Sequence, residues 1–240
     1  YGCVVGGEEY RLASEIARRS ELQLYCLQPE AEKLRRARRF VDARGLYGTD
    51  VTVHHGHVRD IPYSDNCLNL AVVLQGNTSR FDGRTAEELY RIVRPAGGSI
   101  YVQTEEPQAA KDVFMQAGVP LGEIRLGDGY LLVVRGRLPG ADSWNNPYAD
   151  IGNSGASADA VARPPYKMQW FGGPGPARSV SRHWRGPQPV TIRGRVFHMG
   201  QDYVTCVDAY NGYEYWTRKL GNIGRYPAAT WRGNAVTDAT

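Results

Sequence analysis

The sequence predicts two folds in tandem: a mostly parallel α/β sheet closed by an antiparallel hairpin, then an all-β segment of short strands. Three observations carry this. Up to about residue 136, apolar strand-like runs alternate with Arg/Glu-rich stretches of helical period. All five Trp (Trp144, Trp170, Trp184, Trp216 and Trp231) and eight of the 14 Pro fall after residue 140. From Pro189 onward helical periodicity is gone, and short β-rich runs follow one another between tight turns. A chain of 240 residues has room for both.

In order, Cys3-Val4-Val5 reads as the end of a buried strand and Gly6-Gly7 as the turn that follows it. A helix comes next, with Leu12, Ala13, Ile16 and Ala17 on one face. Residues 22–27 form a second strand, broken at Pro29, and a basic helix then runs to about Arg44 and stops at Gly45. Residues 51–53 and 68–74 are strands. Thr85-Ala86-Glu87-Glu88 has the spacing of a capping box, in which Thr and Glu satisfy each other's free amides, so a helix is expected from there with Leu89, Ile92 and Val93 inward. Residues 99–103 return as a strand. Pro107 suits the first turn of a helix striped by Ala110, Val113, Phe114 and Ala117, and Gly118 suits its end. Two last strands flank Gly127-Asp128-Gly129, a hairpin signal. The result is a Rossmann-like frame whose ligand site should lie at the C-terminal ends of its strands.

The frame is expected over residues 1–136, with the boundary near Arg137-Leu138-Pro139-Gly140. Residues 137–188 read as a Pro/Gly/Trp-rich connector. Over 189–240, strands at 190–192, 196–199, 203–207 and 213–216, with turns at Arg193-Gly194, Gly200-Gln201-Asp202 and Asn211-Gly212, read as one antiparallel propeller blade.

Composition excludes some functions. The net charge is only +4, although 25 of the 29 basic residues are Arg. The densest run, Lys33-Leu34-Arg35-Arg36-Ala37-Arg38-Arg39, has the apolar stripe Leu34, Ala37, Val41 of a helix with a solvated face. No aromatic or Gly-rich reader motif accompanies it, so no nucleic acid partner is expected. No stretch is long and apolar enough to span a membrane. Cys3, Cys26, Cys67 and Cys206 sit singly in apolar runs, as small buried hydrophobes do. His54 and His55 point to opposite faces of one strand, and no metal set is expected.

The stretches Ile61-Pro62-Tyr63-Ser64-Asp65-Asn66 and Glu88-Leu89-Tyr90-Arg91-Ile92-Val93-Arg94-Pro95-Ala96-Gly97-Gly98, with the order of elements, resemble class I S-adenosylmethionine-dependent methyltransferases. Gly45-Leu46-Tyr47-Gly48 and residues 62–70 are similar to bacterial proteins that set such a domain before a quinoprotein-like propeller. The resemblance implies S-adenosylmethionine as cofactor and places its contacts at Gly6, Gly7, Gln28, His57 and Asn69. Those positions depart from the family pattern. The second and third loop glycines become Glu8 and Tyr10, and the acids expected after the second strand, after the third strand and in the fourth become Gln28, His57 and Asn69. A Gln accepts a ribose hydroxyl without charge assistance, and a side chain at a loop glycine loses the freedom of φ > 0. No catalytic base is identified.

In the second half, Asp142-Ser143-Trp144, Gly152-Asn153-Ser154-Gly155 and Met168-Gln169-Trp170-Phe171-Gly172-Gly173-Pro174 are similar to the opening of quinoprotein propellers. Residues 206–216 resemble their repeat A-x-D-x-x-x-G-x-x-x-W, with Cys206 for Ala and with Asp208, Gly212 and Trp216 in place. One blade cannot bury its own faces and holds no site for pyrroloquinoline quinone (PQQ). The functional expectation is a non-catalytic, methyltransferase-like module fused to a PQQ-type propeller. The alternatives are an active class I methyltransferase on an unknown substrate, and part of a quinone-dependent dehydrogenase. The resemblance also implies an exported, periplasmic location and a protein partner met through the propeller.

Overall fold

The computed structural model describes residues 1–5, 10–74, 81–173, 175 and 187–223. The chain divides into two compact units, Tyr1–Leu138 and Pro139–Thr240.

The first unit holds seven strands: β1 Gly2–Val5, β2 Leu24–Gln28, β3 Val51–His55, β4 Leu70–Val73, β5 Ser99–Gln103, β6 Ile124–Gly127 and β7 Tyr130–Val134. They form one sheet in the order β3-β2-β1-β4-β5-β7-β6. The first five pair in parallel, and β7 runs antiparallel to both β5 and β6. This is the Rossmann-like sheet with a terminal antiparallel hairpin that the alternation of runs predicts.

Side chains alternate across the strands, so the sheet builds a core on each face. Cys3, Val5, Val73 and Val102 pack against α3 Gly83–Ile92 and α4 Pro107–Gln116, chiefly through Leu89, Ile92 and Phe114. Val4, Cys26, Val53 and Val72 pack on the other side against α1 Tyr10–Arg19 and α2 Ala31–Asp42. α2 buries Leu34, Ala37 and Val41, three and four residues apart, and leaves Arg35, Arg36 and Arg39 in solvent.

The start of α3 differs from the expected capping box. The cap is Asp82, whose carboxylate accepts the Thr85 N–H at 3.0 Å, and the helix begins at Gly83. Asp precedes Thr85 by three residues, so two overlapping capping patterns compete, and the one with the acceptor outside the helix wins. Glu88 is thereby released from capping, and it is buried.

The second unit carries a four-stranded antiparallel sheet of β8 Val190–Ile192, β9 Arg195–Gly200, β10 Tyr203–Asp208 and β11 Glu214–Lys219, ordered β11-β10-β9-β8. Arg193 and Gly194 have φ of 50° and 74°, the pair of left-handed residues that closes a two-residue hairpin without splaying its strands. The backbone of Trp144 pairs with Thr191 (2.7 Å), so the connector adds to the β8 edge. Asp208 is fully buried, accepting the Tyr210 N–H (2.8 Å) and the Tyr215 hydroxyl (2.7 Å). Trp170 donates its indole N–H to Ala209 O at 3.0 Å and lays its ring over Gly212, where any Cβ would collide with it.

Candidate functional site

An open α/β sheet binds ligands beyond the C-terminal ends of its strands, where the strand order reverses. Here that point lies between β1 and β4, where Leu74 N–H reaches Val5 O at 3.1 Å. The loops leaving β1 and β4, residues 6–9 and 75–80, fall outside the described residues, and with them Gly6, Gly7 and Glu8.

Gln28 ends β2 on this edge and is 7% exposed. Its Nε2 donates to the Tyr10 hydroxyl at 2.9 Å, and its Oε1 accepts the Glu30 N–H at 3.1 Å. The first bond ties the opening residue of α1 to the end of β2. The second holds the chain as it turns into α2. His57 lies just beyond β3, half-buried, and its Nδ1 accepts the Arg59 N–H at 3.2 Å. The backbone joins the two segments, since Gly56 N–H reaches Gln28 O at 3.4 Å. The structure therefore brings Gln28 and His57 to one edge.

Asn69 does not join them. It precedes β4, and its N–H bonds Tyr1 O at 2.8 Å, at the N-terminal end of the parallel strands. Leu74 lies five positions further along the strand, about 16 Å at roughly 3.3 Å per residue. Asn69 is thus at the edge opposite the switch point, because it stands at the start of a strand that runs parallel to β1.

The two stretches that resemble methyltransferases most are bonded to each other. Buried Glu88 accepts the Ile61 N–H at 3.0 Å and two bonds from Arg91, at 2.7 and 3.1 Å, and pairs with Arg84 at 3.0 Å. Arg91 continues outward to Ile61 O (2.8 Å), Tyr63 O (2.8 Å) and Asp65 (2.6 Å). Burial alone would raise the Glu88 carboxyl, but the bonds from Arg91 and Ile61 and the charges of Arg91 and Arg84 carry it below its usual range. This clamp fixes the loop after His57. Its sequence signal is an acid on the inward side of a helix with one cation four residues before it and another three residues after it.

Burial holds the cysteine thiols towards their protonated form. Burial pushes the Cys3 thiol well up and the Cys26 thiol to about 12, so neither supplies a thiolate near neutral pH. His54 bonds the Tyr63 hydroxyl at 3.0 Å and His55 the Pro29 carbonyl at 2.9 Å. Among the described residues no three His, Cys, Asp or Glu side chains gather as a metal set. No helix among them is long and apolar enough to cross a membrane.

No protein-family model matches the chain, and no curated protein does. Solved structures similar in fold include proteins described as S-adenosylmethionine-dependent methyltransferases. One, from Aquifex aeolicus, is 18% identical with a TM-score of 0.45, over 55% of this chain and 79% of that one. Another, a protein of Methanococcus maripaludis assigned as an S-adenosyl-L-methionine-dependent methyltransferase, is 19% identical with a TM-score of 0.47, over 57% and 77%. The [4+2]-cyclase SpnF is 23% identical with a TM-score of 0.37, over 42% of this chain and 37% of its own.

Proposed function

We propose that the first unit is a methyltransferase-like domain that does not use S-adenosylmethionine and serves as a structural or interaction module. The observation that supports this is the Gln28 amide, whose nitrogen is held by Tyr10 and whose oxygen by Glu30. These bonds fix the amide plane and use one of its two N–H groups and one of its two lone pairs, so a cofactor ribose could meet only what remains of Gln28 and would gain no charge-assisted bond there. The described residues on this edge offer no carboxylate to the ribose. In this reading β8–β11 are the first blade of a quinoprotein-type propeller, supported by Asp208, Gly212 and the half-exposed Trp216 at the repeat's spacing. The proposed location is exported, with a protein partner met through the propeller.

The second reading is an active methyltransferase with an altered loop. It is supported by Gln28 and His57 lying on the switch-point edge. Thermal unfolding with S-adenosylhomocysteine separates the two. A ligand at about 100 times its dissociation constant stabilises by about 2.7 kcal/mol, which raises Tm by several degrees. The wild type should show no shift. The combined variant Glu8→Gly, Tyr10→Gly, Gln28→Asp should gain one. A shift in the wild type supports the active enzyme and overturns the scaffold.

A further inference from the structure

A cleft of about 160 Å³ lies between the first residue of α1 and the middle of α2. It is lined by Tyr10, Lys33, Arg36 and Phe40, with the buried Ala37 behind them. For scale, a cavity of about 150 Å³ lined by apolar side chains holds one benzene ring.

Both rings are fixed by other side chains. Tyr10 is anchored through its hydroxyl to Gln28 at 2.9 Å. Phe40 carries the Arg44 guanidinium stacked 3.4 Å from its centroid, and that same guanidinium bonds Phe40 O at 3.0 Å. The two cations of the lining differ. Lys33 is paired with Glu30 at 2.7 Å, whereas Arg36 makes no hydrogen bond or ion pair within the described residues. Helical spacing sets the arrangement, because positions 33, 36, 37 and 40 are three and four apart and lie on one face. The basic run that suits no nucleic acid thus turns two of its residues towards an aromatic-walled recess.

We infer that this cleft is a binding site for a small aromatic anion, a single ring carrying one carboxylate or phosphate group. The ring would lie against Tyr10 and Phe40, and the anion would meet the planar guanidinium of Arg36, whose paired N–H groups match either oxyanion. Aromatic walls without a cation would suit a neutral ring, and cations without walls would suit inorganic phosphate. The juxtaposition of both selects the combined ligand. Lys33, Arg36 and Phe40 take no part in the strand edge, whereas Tyr10 is shared with it through the bond to Gln28.

The test is a titration of the full chain, followed by amide ¹H–¹⁵N correlation spectra, with phenyl phosphate, benzoate, benzyl alcohol and inorganic phosphate. Phenyl phosphate and benzoate should saturate with dissociation constants of about 1 mM or tighter, as suits ligands of this size, and shift the amides around Arg36 and Phe40. Benzyl alcohol and inorganic phosphate should each bind at least about tenfold more weakly. Arg36→Gln, on an exposed position that does not endanger folding, should weaken both anions about tenfold, the worth of one charge-assisted contact. The inference is overturned if neither anion saturates by about ten times that concentration. It is equally overturned if inorganic phosphate matches phenyl phosphate, or if Arg36→Gln leaves both affinities unchanged.

Discussion

The two units bury their strands in different ways. In the first, helices cover both faces, and β1, β2 and β4 are almost wholly inaccessible. In the second, only β10 is well buried, and the hydrophobic residues enclosed among the described ones are Ala149, Cys206 and Val207. Buried Thr205, Asp208 and Asn211 share that small interior, each satisfied within its own turn or neighbouring strand. Among the described residues, one unit is thus held by apolar packing, the other by hairpin hydrogen bonds and the docked Trp170. Among those residues, the second unit's sheet lacks the covering layer that the first unit has on both faces. Ile151 and Phe171, each 92% exposed, lie in the segment before that sheet.

This contrast can be broken by mutation. Phe114 is the largest wholly buried side chain of the first unit, so Phe114→Ala should cost about 3–5 kcal/mol in urea denaturation. A loss below about 1 kcal/mol would mean the two-faced core is not what holds that unit.

Glu88→Ala should cost about 1.5–3 kcal/mol, the value of bonds to a charged group, and should free the loop at Ile61 and Tyr63. It should also change the pH dependence. The Glu88 carboxyl is lowered in the folded state, so its stabilisation is fully present above the unfolded value of about 4.3 and is lost as pH falls through the folded one. The wild type should therefore lose stability more steeply below about pH 4.3 than the variant. Equal slopes would remove the clamp from the account.

Trp216 is 38% exposed and touches Phe197 with ring centroids 6.1 Å apart. Trp216→Ala should cost about 0.5–1.5 kcal/mol, the worth of one aromatic pair. A cost approaching that of Phe114→Ala would erase the difference between the units.

Most of the first unit was legible because it rests on period. Leu34, Ala37 and Val41 mark the inward face of α2, and Ala110 and Phe114 that of α4, whatever the rest of the fold does. The hairpin at Asp128-Gly129 follows from turn chemistry alone. What failed depends on choices between equivalent local signals. Asp82 and Thr85 both cap helices, and burial of Glu88 decides between them. Asn69 opens the run 68–74, so its place at the start of a parallel strand was legible, and only the family resemblance put it among the cofactor contacts. The Tyr10–Gln28 bond spans 18 residues and joins a helix start to a strand end, a pairing no local pattern encodes.

The central claim is that this edge, with Gln28 held by Tyr10, does not accept the cofactor its fold suggests. The most direct measurement is isothermal titration of the intact protein with S-adenosylhomocysteine and S-adenosylmethionine. Losing one charge-assisted bond weakens binding about tenfold to a hundredfold, so the account predicts dissociation constants weaker than about 100 μM for both. A value of about 10 μM or tighter for either would contradict it.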